Sequence, residues 1–122
     1  MNEQRKTLVL GASPNPERYS YLAVQKLRRY GHSVIAVGGK EGKIADIEIR
    51  KDFPDEKEID TITMYLNPMR QQQYYDQIIL AKPKRIIFNP GAENPELEEL
   101  ALKNNIETIE ACTLVMLSTG QY

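Results

Sequence analysis

Short apolar runs recur along the chain with room for a helix between most of them. Thr7-Leu8-Val9-Leu10 is apolar without alternation and ends in Gly11, the pattern of a strand buried on both faces. Ser33-Val34-Ile35-Ala36-Val37 repeats it and ends in Gly38-Gly39. Thr61-Ile62-Thr63-Met64-Tyr65-Leu66, Arg85-Ile86-Ile87-Phe88 and Glu107-Thr108-Ile109 complete a set of five strands. After the turn-rich Gly11–Pro16 segment, an amphipathic helix runs to about Tyr30. Ala23, Val24, Leu27 and Tyr30 share its apolar stripe, Lys26, Arg28 and Arg29 lie off it, and Gly31 is placed as its cap. Asn67-Pro68 opens a second helix to about Ala81, stopped by Pro83, and Asn94-Pro95 opens a third to about Asn104. In both pairs Asn suits the N-cap and Pro the first helical position. Thr113 to Ser118 forms a last short helical turn. The polar stretch Lys40–Glu58 holds only Ile44, Ile47 and Ile49 as a short edge strand.

Apolar strands alternating with helices predict a parallel sheet covered on both faces. With right-handed crossovers, the expected class is α/β, a Rossmann-like doubly wound parallel five-stranded sheet with helices on both faces. Ligands of such sheets bind beyond the carboxyl ends of the strands, near the switch point. That selects the loops at Gly11–Ser20, Gly38–Lys43, Leu66–Pro68 and Asn89–Ala92.

A length of 122 residues, 41% hydrophobic and 27% charged, predicts one globular domain over residues 1–122. The only Cys is Cys112 and the only His is His32, which excludes a disulfide framework and a zinc site made of Cys and His alone. No apolar run approaches the roughly 18 residues of a membrane span. The charged start Met1-Asn2-Glu3-Gln4-Arg5-Lys6 has no signal-peptide pattern, so a cytoplasmic location is expected. Residues 1–51 carry ten basic side chains against five acids, and the remainder six against twelve. The basic residues are scattered, with no block of five, so solvated faces explain much of the asymmetry and no nucleic-acid partner is expected.

The first loop stands where backbone N–H groups and a helix N-terminus hold phosphate. Gly11 lets the backbone turn, Ser13 and Ser20 offer hydroxyls, and Arg18 offers a charged donor. A dinucleotide fingerprint would need glycines where Ser13 and Pro16 stand. No acid ends the second strand to hold a free ribose, and Lys40 and Lys43 follow instead. A phosphorylated ribose, as in NADP or coenzyme A, therefore fits better than NAD. His32, between helix and strand and away from these loops, reads as a surface turn residue. Cys112 reads as a small buried hydrophobe at the functional edge, or as a thiol within reach of a ligand thiol. Glu96, Glu98 and Glu99 suit a helix start. No catalytic constellation or metal cluster is expected.

Gly11-Ala12-Ser13-Pro14-Asn15-Pro16-Glu17-Arg18-Tyr19-Ser20, then a helix, Gly31-His32 and a strand, resembles the small single-domain CoA-binding proteins, which are similar to the N-terminal domain of the succinyl-CoA synthetase alpha subunit. The resemblance runs from about Lys6 to Cys112. It implies that Gly11, Ala12 and Ser13 line the phosphates, supported by Arg18 and Ser20. It further implies that Gly38, Gly39, Lys40 and Lys43 face the phosphorylated end of the nucleotide, that Leu66, Asn67 and Pro68 flank the adenine, and that Asn89 and Pro90 close the pantetheine side. Many small members read Val-Asn-Pro after the second strand, where this chain has Val37-Gly38-Gly39. The function implied is non-catalytic binding of coenzyme A or an acyl-CoA, by a chain free to pair as a homodimer or with a partner enzyme. An NADP-binding or other nucleotide-binding domain serving a partner enzyme, and a protein-interaction module, are the alternatives.

Overall fold

The computed structural model describes residues 4–122, so Met1, Asn2 and Glu3 of the charged start lie outside the described residues. In chain order the elements are β1 (Thr7–Leu10), α1 (Tyr19–Arg29), β2 (Val34–Val37), β3 (Lys43–Ile44), β4 (Ile47–Arg50), β5 (Thr61–Met64), α2 (Pro68–Gln71), α3 (Tyr75–Ala81), β6 (Arg85–Phe88), α4 (Pro95–Lys103), β7 (Glu107–Glu110) and α5 (Thr113–Ser118). One sheet runs in the order β3-β4-β2-β1-β5-β6-β7. Every neighbouring pair is parallel except β3 with β4. The order reverses at β1, where successive strands are added first on one side and then on the other.

The sheet therefore has seven strands rather than the expected five. The extra pair is the β3–β4 hairpin, and β4 lies inside the edge, parallel to β2. Its apolar positions alternate with Lys43, Glu48 and Arg50, so the segment is a half-buried hairpin that dilutes the apolar run of a buried strand. Ala45, with φ of 54°, makes its tight turn. The second predicted helix is also divided. Asn67 caps α2 by accepting the Arg70 N–H at 2.9 Å, and a single 3-10 turn at Gln72–Tyr74 separates α2 from α3. The Gln71-Gln72-Gln73 run has no apolar stripe to bury, and Gln71 is drawn inward by hydrogen bonds instead.

Alternate residues of β1 feed two cores. Leu8 and Leu10 pack with Ile78 of α3 and Leu97 and Ala101 of α4. Val9 packs on the opposite face with Val24 and Leu27 of α1 and Leu117 of α5. Helices thus cover both faces. The β4–β5 connection has no helix, and Phe53 and Ile59 cover part of the first face in its place. Ala23, Val24 and Leu27 are buried as their stripe predicts, but Tyr30 caps α1 and is exposed. No helix among the described residues is long and apolar enough to cross a membrane.

His32 is buried, not a surface turn residue. Gly31 at φ of 87° turns the chain inward, and His32 Nδ1 accepts the Arg5 backbone N–H at 2.9 Å. Its ring meets that of Tyr122 edge-on at 5.0 Å. The Arg85 guanidinium lies over the same Tyr122 ring at 4.6 Å, and Tyr122 shares a hydrogen bond with Thr7. Burial, reinforced by the nearby charges of Arg5 and Arg85, holds the His32 pKa below its ordinary value. The unfolded chain then binds the proton more readily than the folded one, so stability falls as pH drops through the ordinary histidine range. Because His32 is the only histidine, urea unfolding between pH 7.5 and 5.5 should show a loss of stability toward acid that His32→Gln abolishes. An equal slope in both proteins would remove His32 as its source.

Candidate functional site

The carboxyl ends of β1, β2, β4 and β5 are joined backbone to backbone. Gly11 and Ala12 both donate their N–H groups to the Val37 carbonyl oxygen, at 2.8 and 2.9 Å. Tyr65 N–H donates to Leu10 O at 2.9 Å, and Gly38 N–H donates to Arg50 O at 2.9 Å. Gly11 has φ of 101°, and a Cβ there would stand 3.0 Å from the Leu66 nitrogen. At Gly38 a Cβ would stand 2.0 Å from the Ala12 carbonyl oxygen, and at Gly42 it would stand 2.5 Å from Pro14 Cβ. The first loop is therefore wedged between the turn after β2 and the loop after β5.

This packing changes the roles expected of several residues. The Gly11 and Ala12 N–H groups are engaged by Val37, so they are not the donors that a phosphate would use. Ser13 Oγ accepts the Asn15 N–H, Asn15 Oδ1 accepts the Glu17 N–H, and Asn15 O accepts the Arg18 N–H, which together set the curve of the loop. Arg18 occupies the N-cap of α1 in extended conformation, and no side chain caps that helix and no acid stands in its first turn. The free N–H groups of this turn favour an anion. Arg18 is exposed beside it, Ser13 is half-buried, and Ser20 is buried inside the turn.

Gly38 is buried against Ala12, so it shapes the loop, whereas Gly39 and Lys40 are exposed and open. Lys43 is not in the loop after β2. It belongs to β3, in register with Glu48. Arg50 and Lys51, at the end of β4, are exposed cations on the same edge that periodicity did not single out. Leu66 is half-buried over Gly11, and Asn67 and Pro68 are exposed at the start of α2.

Asn89 is withdrawn from solvent. Its Nδ2 donates to Thr63 Oγ1 and Met64 O, and its Oδ1 accepts the Thr113 N–H at 2.8 Å. It ties β5 and β6 to α5, and only the exposed Pro90 of that pair faces outward. Cys112 is half-buried at the N-cap position of α5. The Tyr65 hydroxyl is buried beside Thr63 and Thr113, which bond each other at 2.7 Å, and burial pushes the Tyr65 phenol pKa up.

A second clamp was not visible in the sequence. The fully buried Gln71 donates to Leu66 O and Ala92 O, both at 2.8 Å, and accepts from Asn94 Nδ2, which also donates to Tyr75 OH. It binds the loop after β5 to the loop after β6. One glutamine within three in a row carries no sequence signal for this role. Among the described residues no three His, Cys, Asp or Glu side chains gather as metal ligands.

A family model described as CoA binding domain matches residues 5–118. No curated protein matches the chain. Among solved structures, the chain is 48% identical to an uncharacterized protein, with a TM-score of 0.96 and coverage of 99% of this chain and 100% of that one. A Thermus thermophilus protein known as cell-free ID.343 shares the fold at 20% identity and a TM-score of 0.83, covering 98% and 91% of the two chains. The dinucleotide forming acetyl-coenzyme A synthetase 1 of Ca. Korarchaeum cryptofilum, in complex with phosphate and ADP, matches at 18% identity and a TM-score of 0.67. That match covers 88% of this chain and 26% of that one.

The two glycines after β2 should respond differently to substitution. Gly38→Ala drives a methyl group onto a backbone oxygen and should lower stability by about 3 kcal/mol. Gly39→Ala meets nothing within 4 Å and should stay within about 0.5 kcal/mol of the parent. Urea denaturation of the two variants checks this, and equal effects would contradict the wedge.

Proposed function

This chain belongs to the CoA binding domain family, and from that premise we propose that it binds coenzyme A or an acyl-CoA without itself transforming it. One observation carries the reading. The first loop, the turn after β2 and the loop after β5 converge on a single carboxyl edge, and the helix that starts there has an uncapped first turn. In a Rossmann-like sheet this is the switch point at which nucleotides bind.

The ligand's parts can be matched to residues. Ser13, Arg18 and the first turn of α1 meet the diphosphate. The exposed Gly39-Lys40 turn, where no acid ends β2, accepts a ribose that bears a phosphate. Leu66, Asn67 and Pro68 border the adenine. The pantetheine arm leaves toward Pro90 and the half-buried Cys112. The only histidine is fixed at the opposite edge of the sheet, which supports binding rather than acid–base chemistry. Any reaction on the ligand then falls to a partner chain.

Thermal unfolding in the presence of coenzyme A, dephospho-CoA, NAD and NADP tests the reading. A ligand at 100 times its Kd stabilises by about 2.7 kcal/mol, a rise of roughly 10 °C in Tm for a domain of this size. Coenzyme A should give the largest rise and dephospho-CoA a smaller one, and acetyl-CoA held with the protein should remain intact by chromatography. A rise with NADP alone would replace the ligand. No rise with any of the four would leave a protein-interaction module.

A further inference from the structure

At the β3 edge the sheet opens into a groove of about 670 Å³ bordered by Gly42 and Ile49, by the cations Lys43, Arg50 and Lys51, and by the acids Glu41, Glu48 and Asp52. Its cations are not equivalent. Lys51 lies 3.9 Å from Glu41, and Lys43 stands opposite Glu48 in the hairpin register. Arg50 has no ion-pair partner among the described residues. It is also the best placed. Arg50 ends β4 in register with Val37, which ends β2, and its carbonyl accepts the Gly38 N–H at 2.9 Å. Ile49 faces α1, so Arg50, the next residue along the strand, faces the other side with Val37. Helix cover is missing there, because the β4–β5 connection contains none.

We propose that Arg50 holds the phosphomonoester on the ribose of the bound nucleotide. This assignment rests on the coenzyme A reading and deepens it, since it names the residue that distinguishes a phosphorylated ribose from a free one. A guanidinium presents a planar fork of donors that fits a phosphate bidentately, which a lysine cannot match. Lys40 remains as a second exposed charge on the turn after β2.

Isothermal titration of the parent protein and Arg50→Gln with coenzyme A and with dephospho-CoA tests the assignment. Arg50 is exposed, so the variant should unfold at the parent's urea midpoint. Arg50→Gln should weaken coenzyme A binding by about 10- to 100-fold and leave dephospho-CoA binding within about twofold. Lys43→Gln should leave the preference between the two ligands unchanged. If Arg50→Gln binds coenzyme A with the parent's preference intact, or weakens both ligands equally, the assignment of Arg50 is overturned while the coenzyme A reading stands. If the parent protein binds neither ligand, both fail.

Discussion

The carbonyl oxygen of Val37 accepts two hydrogen bonds, from Gly11 and Ala12, and the rest of the carboxyl edge is built around that junction. It draws the loop after β1 over the end of β2. The loop can come that close only because residue 38 has no side chain, since a Cβ there would collide with the Ala12 oxygen. On its other flank the same loop presses on Tyr65 and Leu66 through Gly11. Three segments far apart in sequence are thereby held in fixed relation, with the start of α1 between them. The phosphate-binding role that a Gly-Ala-Ser sequence suggests is thus divided. Gly11 and Ala12 fix the frame, and the coenzyme A reading assigns the phosphate donors to the residues beyond them.

Much of the frame is legible in the sequence because buried parallel strands leave continuous apolar runs. β1, β2, β5 and β6 are such runs, and Asn67-Pro68 and Asn94-Pro95 mark helix starts that the structure bears out. The β3–β4 hairpin was only half legible, because a strand with one solvated face scatters its isoleucines among charges. His32 was misread for a related reason. A polar side chain between a helix and a strand normally faces water, and only the Arg5 N–H and the Tyr122 ring, distant in sequence, make burial favourable. Asn89 shows the converse. Its place after β6 suggested a ligand contact, yet the backbones it joins use its polar atoms.

The two edges of the sheet divide the work. At the amino edge, Tyr122 fills the space between His32 and Arg85, and Arg85 donates to Thr61 from a buried position. That edge is closed and contributes stability. At the carboxyl edge the exposed side chains include Arg18, Lys40, Arg50, Lys51, Asn67, Pro68 and Pro90. Two connections without a helix, the one through β3 between β2 and β4 and the one between β4 and β5, keep part of this edge uncovered.

The most direct test of this account is to map, on an isotope-labelled sample, the backbone amide shifts that coenzyme A induces. The account expects the largest changes at Ser13, Arg18, Gly39, Lys40, Arg50 and Leu66, all on the carboxyl edge, with His32 and Tyr122 silent. Changes centred on the amino edge, or spread evenly over the sheet, would contradict it.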